Sequence, residues 1–152
     1  TNIKTKLIIL RLFNVYGPNQ DFNNLKQGML SIYLAQIYKR RKVLVTGSLD
    51  RYRDFVFVDD VVKALINFKK FKNRNIYNIG TGKKVKVKYL INKIFLCLKI
   101  AKKNKITISK SSFGDTWGSY ANISKSINCG WFPKVNLESG LNKTIKNINK
   151  FF

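Results

Sequence analysis

Histidine is absent from this chain of 152 residues, which has only two cysteines, two prolines and one methionine. Without histidine the commonest general base and the commonest metal ligand are missing, and no metal site is expected. Cys97 and Cys129 stand alone, with no Cys-x-x-Cys pair and no partner at metal-ligand spacing. They read as reduced structural thiols, Cys97 falling inside an apolar helical pattern. No apolar run approaches the roughly 18 residues that a membrane helix needs, and no charged-then-apolar leader with a small-residue cleavage site opens the chain. The expectation is therefore a cytoplasmic protein with no membrane partner.

Acidic residues are scarce too: seven Asp and Glu against 30 Lys and Arg, a formal net charge of +23. Such a balance first suggests nucleic acid. The distribution argues otherwise. The positive charge is almost all lysine, spread from Lys4 to Lys150, without an Arg-rich run or a nucleic-acid-binding signature. It reads as a solvated lysine surface with no specific nucleic-acid partner, though some polyanion affinity at low salt follows from it. An apolar content of 45% and an aromatic content of 13% exclude a disordered chain, and the length suits one domain.

The most legible stretch is Arg51 to Asp60, in which a charged turn feeds Phe55-Val56-Phe57-Val58 and two aspartates open a helix. The apolar run suits a strand buried on both faces, and Asp59 stands where a helix N-cap is expected. Arg53 either pairs with Asp54 or Asp50 on the surface or holds an anion with its guanidinium fork.

Lys6 to Phe13 has the pattern of a central parallel strand, running into a polar loop from Asn14 to Gln20 around Gly17-Pro18. Loops at such strand ends are where open α/β sheets bind ligands. Met29 to Ile37 forms an amphipathic helix, closed by the cations Lys39 to Lys42. Short strands follow at 43–45 and 76–79, with a helix over about 60–70 between them. Gly80-Thr81-Gly82 after the second strand lacks the third glycine of a dinucleotide loop, since Val85 holds that place, and reads as a tight turn. Val87, Leu90, Ile91, Ile94, Phe95 and Leu98 mark a second amphipathic helix. A strand at 106–108, a polar loop at 111–119, a short helix from Asn122 to Gly130 and a final helix capped by Asn136 complete the chain.

Several of these segments resemble one known family in content and order. Leu10-Arg11-Leu12-Phe13-Asn14-Val15-Tyr16-Gly17-Pro18 is similar to the LRxFNVYGP segment of nucleotide-sugar epimerases and dehydratases. Arg53 to Asp59 resembles their RDFxYVxD, and Tyr77 to Gly82 their YNIGTG. Gly114-Asp115, Ile123-Ser124-Lys125, Gly130-Trp131-Phe132-Pro133 and Leu137 to Leu141 resemble the later GD, ISK, LGWxP and LEEGL elements. These enzymes are extended short-chain dehydrogenase/reductases, of which UDP-glucose 4-epimerase is the best-known member.

The resemblance implies an α/β fold: the C-terminal portion of a Rossmann-type enzyme with its small substrate-binding domain, the N-terminal dinucleotide-binding half being absent. Residues 1–152 would be a single unit, in which strands near 7–13 and 76–79 end the NAD-binding sheet and intertwine with the nucleotide-sugar subdomain. The expected ligand is a nucleotide-sugar, most simply a UDP-sugar, and the expected partner a missing N-terminal half. Leu12 and Phe13 would lie near the nicotinamide of NAD. Asn14 would bond the diphosphate or sugar, the helix start at Met29-Leu30 would face phosphate, and Leu44 to Thr46 would line the base pocket. Arg53 would clamp the diphosphate, and Asp115 would bind a ribose hydroxyl. No catalytic residue is carried over. The family's Gly-rich loop and Tyr-x-x-x-Lys pair lie upstream of the LRxFNVYGP strand, and Tyr38-x-x-x-Lys42 stands at the wrong place to replace them. A second arginine clamp is replaced by Ser112, and Lys86 stands where a Ser or Thr cap is usual. Alone, the chain is expected to be inactive; the alternative is a non-catalytic module that binds nucleotide-sugars or polyanions.

Overall fold

The computed structural model describes residues 5–24, 28–101, 105–111, 116–146 and 148. It is an α/β structure in which three of four strand pairs are parallel. Strand β1 (Ile8–Leu12) is followed by β2 (Asn14–Tyr16), α1 (Met29–Arg40), β3 (Val43–Thr46), β4 (Tyr52–Arg53), β5 (Phe55–Phe57) and α2 (Val58–Ile66). A 3-10 turn then leads to β6 (Asn75–Ile79), β7 (Val85–Lys86), α3 (Val87–Cys97), β8 (Ile106–Ser109), α4 (Ser124–Asn128) and α5 (Leu137–Lys146). Residues 1–4, 112–115 and 149–152, with Asp115 among them, lie outside the described residues.

The short strand β5 organises the interior. Phe55, Val56 and Phe57 are all buried, and the pleat sends alternate side chains to opposite faces. Phe55 and Phe57 join one core with Leu34, Ile37, Val45, Leu90, Ile94 and Leu141, contributed by α1, β3, α3 and α5. Val56 joins a second with Val61, Ala64, Tyr77, Ile79 and Trp131. The apolar run without alternation was the correct signal for such a strand.

Three expectations are corrected. The loop expected from Asn14 begins instead with β2, because the chain changes partners rather than leaving the sheet. Phe13 N–H donates to Ile79 O and Asn14 N–H to Asp54 O, both at 3.0 Å, so pairing passes from β6 to β5. The buried ring of Tyr16 then packs edge-on against Phe55 and Phe57. Second, β1 is not central among the described residues: it pairs with β6 alone, and Leu7, Ile9 and Leu12 are 57%, 46% and 49% exposed.

Third, Asp59 does not cap α2. The helix starts two residues earlier than expected, with Phe57 at the N-cap position, so Asp59 points out towards Lys143 at 3.6 Å. Its buried neighbour Asp60 carries the structural role, its Oδ2 accepting the N–H groups of Lys134 and Val135, each at 2.9 Å. Other caps follow the sequence in part. The side chain of Asn136 accepts Ser139 N–H at 2.9 Å and Gly130 ends α4 at φ 76°, whereas Asn122, which accepts Ser124 N–H at 3.1 Å, stands one residue before the N-cap position, held by Ile123 without a side-chain cap. Lys86 gives α3 no side-chain cap, and the carbonyls of Arg51 and Leu49 accept the N–H groups of Val87 and Lys88 instead.

Burial, reinforced by Asp60, raises the pKa of Tyr16 from its ordinary value of 10.0, and burial also raises that of Tyr33. Below pH 10 both phenols are neutral in the folded and unfolded chain; above it only the unfolded chain ionises readily, so stability falls with rising pH. Denaturant melts across pH 8 to 11 should show this loss beginning at about pH 10, and Tyr16→Phe should lessen its steepness while costing about 1 kcal/mol at neutral pH. An equally steep decline in Tyr16→Phe would disprove the assignment.

Candidate functional site

Of the residues singled out from sequence, Leu12 and Phe13 stand at the carboxyl end of β1, Asn14 at the start of β2, Met29 and Leu30 at the start of α1, Leu44 and Thr46 in β3 and Arg53 in β4. The element that joins several of them was not singled out. Asp54, between β4 and β5, is fully buried, and its two carboxylate oxygens accept four hydrogen bonds. Oδ1 takes the N–H and hydroxyl of Thr81 at 2.7 and 2.5 Å, and Oδ2 takes the N–H groups of Gly82 and Ala121 at 2.8 and 3.1 Å. The turn Gly80-Thr81-Gly82 is thus an anion cradle whose anion is internal. Its donors are spent on Asp54, which is why it is not a dinucleotide loop. Gly80 is required by closeness: a Cβ there would stand 2.6 Å from Ala121 Cβ and 2.7 Å from Asp54 Oδ2.

The main chain of Asp54 performs a second task. Its carbonyl accepts both the N–H and the side-chain Nδ2 of Asn14, each at 3.0 Å. Asn14 is thereby held beside the Asp54–Phe55 peptide. Arg11, Leu12, Phe13, Asn14 and Ser119 line an open cavity of about 390 Å3. Ser119 was not anticipated.

Arg53 lies along β4, which pairs antiparallel with β7. Its Nη1 donates to Tyr52 O at 2.8 Å and Trp117 O at 3.4 Å, and its Nη2 to Thr116 O at 3.0 Å and Thr116 Oγ1 at 3.2 Å. These acceptors fix the guanidinium plane without themselves cancelling its charge. The surface pairings considered from sequence do not form, because Asp54 faces the glycine turn and Asp50 pairs with Lys86 at 3.0 Å. Burial, then the neighbouring Arg51, lowers the pKa of Arg53.

Arg51 escaped the sequence reading, which placed it in a charged turn. It is buried, and its guanidinium donates to Ser48 O at 3.3 Å and to Thr46 O, bracing the β3–β4 turn from beneath. Two residues apart in an extended segment, Arg51 and Arg53 share a side of the chain. That spacing was the available signal. Thr46 is therefore tied to the arginine segment, its Oγ1 accepting Ser109 Oγ–H at 3.5 Å across the β3–β8 pair. Leu44 is exposed, its N–H donated to Gln36 Oε1 at 2.8 Å. Leu30 is buried in the larger core, and Met29 beside it is partly buried against that core. Met29, Leu30 and Leu44 do not line the Asn14 cavity. Asp115 is outside the described residues.

Comparison with known proteins decides the family. The profile of the NAD dependent epimerase/dehydratase family matches residues 1–80. The chain belongs to this family. It is 34% identical over 147 residues to a putative UDP-glucose 4-epimerase of Methanocaldococcus jannaschii, covering 93% of this chain and 46% of that protein. It is 32% identical over 145 residues to a dTDP-4-dehydro-6-deoxyglucose reductase of Escherichia coli, covering 94% and 45%. The Thermotoga maritima UDP-glucose 4-epimerase, solved with UDP-glucose, superposes with a TM-score of 0.87 at 31% identity, over 95% of this chain and 46% of that one. The Thermus thermophilus UDP-glucose 4-epimerase, solved with NAD, gives 0.81 at 27%, over 95% and 47%. These family members share the Rossmann-type architecture, and this chain spans about half their length. No helix among its described residues is long and apolar enough to cross a membrane.

Substituting Asp54 tests the hub. In Asp54→Asn one of the two acceptor pairs must face an amide NH2, stranding buried donors. The fold should lose at least about 3 kcal/mol, measured by urea unfolding. A loss below about 1 kcal/mol would show the carboxylate to be dispensable.

Proposed function

We propose that this chain is the nucleotide-sugar-binding part of an NAD-dependent sugar-nucleotide epimerase or dehydratase of the UDP-glucose 4-epimerase kind. One observation carries the reading: Asn14 is bonded to the carbonyl of Asp54, the residue that follows Arg53, which ties together the two segments expected at the diphosphate. In this reading Arg53 clamps the diphosphate in competition with the carbonyls of Thr116 and Trp117, and buried Arg51 adds a second positive charge in place of the clamp missing at Ser112. Asn14 Oδ1 accepts a sugar hydroxyl, Leu44 and Thr46 border the base, and Asp115 takes a ribose hydroxyl. The start of α1 at Met29-Leu30 turns its positive end to phosphate.

The fit to NAD is partial. Leu12 and Phe13 offer a wall to a nicotinamide, but the glycine turn after β6 spends its donors on Asp54. The sequence holds neither a Gly-rich dinucleotide loop nor a Tyr-x-x-x-Lys pair in the family's position. Hydride chemistry therefore requires groups from a dinucleotide-binding half, and residues 1–152 form the C-terminal unit that completes it. The open edge of β1 is where such a half would extend the parallel sheet.

Titration with UDP-glucose tests the reading. Binding should persist from 50 to 200 mM salt and weaken by roughly 10- to 100-fold in Arg53→Ala, with Arg53→Lys recovering part of the loss. Unchanged affinity in Arg53→Ala, or loss with salt as complete as for RNA, would reject it in favour of nonspecific polyanion binding.

A further inference from the structure

A large cavity of about 1110 Å3 lies away from the Asn14–Arg53 region, between β7–α3 and α5. Among the described residues its lining holds Lys83, Lys84, Lys86, Lys143 and Lys146 against a single carboxylate, Glu138. That carboxylate is taken up by Lys93 at 2.6 Å. We propose that this cleft is a second ligand site, for a small anion carrying several phosphate groups.

The charge is held in place. Lys84 Nζ stands over the rings of Tyr120 and Tyr52, at 4.6 and 5.2 Å from their centroids, contacts that orient an ammonium without neutralising it. Lys86 and Lys143 meet Asp50 and Asp59 at 3.0 and 3.6 Å, and in both pairs the side chains are more than half exposed. Pairs of this kind contribute at most about 1 kcal/mol and yield readily to a more highly charged ligand. Like charges around one cleft repel, so a multivalent anion gains most by entering it.

The chemistry of the lining selects among anions. No arginine borders the cleft, so the planar fork that suits carboxylates is lacking, whereas lysine ammonium groups serve as point charges for phosphate oxygens. The volume is that of a small-molecule pocket rather than of a track for a polymer. Tyr89, half-exposed, is the only aromatic among the described residues of the lining, too few for a stacking platform. The floor is apolar at Val85 and Leu137, and a side chamber of about 180 Å3 opens between Phe55, Pro133 and Val135. None of these residues is assigned to the nucleotide-sugar, so the two sites can fail separately.

Calorimetric titration of the full chain with tripolyphosphate at about 150 mM salt tests the proposal. Saturable one-to-one binding is expected, weakened at least tenfold in the Lys83→Gln/Lys146→Gln variant. It should be unchanged in Lys70→Gln/Lys72→Gln, outside the lining. Thermal melts of all variants should match the parent, which separates lost binding from lost folding. Absence of saturable binding at that salt, or equal weakening in both lysine variants, would overturn the proposal. So would tighter binding of a single-stranded RNA with the same dependence on Lys83 and Lys146, which would make the cleft a nucleic-acid surface.

Discussion

The Asp54 carboxylate is the interaction on which the rest of the structure most depends. Burying a charge is costly unless it is met by donors, and here four converge on it from two distant segments, residues 81–82 and 121. Its carbonyl meanwhile fixes Asn14 and so the point at which the chain passes from β1 to β2. One residue thus joins the strand carrying Arg53, the turn after β6, the approach to α4 and the mouth of the Asn14 cavity. Charge-assisted bonds are also directional, so the arrangement sets geometry as well as stability. Asp60 repeats the device on a smaller scale, tying the segment after Trp131 to the first turn of α2 through two backbone amides and the indole N–H.

Between these two carboxylates runs β5, whose three buried residues divide the interior into two cores. The division explains why a strand of three residues suffices. Its positioning comes from the aspartates at its ends, not from ladder length. Because the ends are fixed, the polar residues beside them are held in place as well.

Local patterning made much of this legible. The continuous apolar run marked β5 as buried on both faces, the helical spacing of Val87 to Leu98 marked α3, and Asn136 was read correctly as a cap because its partner lies three residues away. What was missed depends on contacts distant in sequence. Asp54 and Asp60 each stand beside another aspartate or an arginine, and nothing local shows that their donors arrive 27 to 75 residues later. Arg51 looked like one more surface charge, and β2 looked like a loop because Gly17-Pro18 follows so soon. In each case tertiary pairing overrode a sound local signal. Glycine proved the better long-range clue: the tight turn at Gly80 exists to let a carboxylate approach.

The lysines divide similarly. Most are exposed, as their even spread suggested, yet the fold gathers five around one cleft drawn from residues 83–86 and 143–146, which no count along the chain reveals. For the account as a whole, amide hydrogen exchange at Thr81, Gly82 and Ala121 in the parent and in Asp54→Asn is the most direct measurement. If the Asp54 carboxylate is the hub, all three amides lose protection together in the variant, while those within α3 change less. Protection that survives at all three would contradict the account.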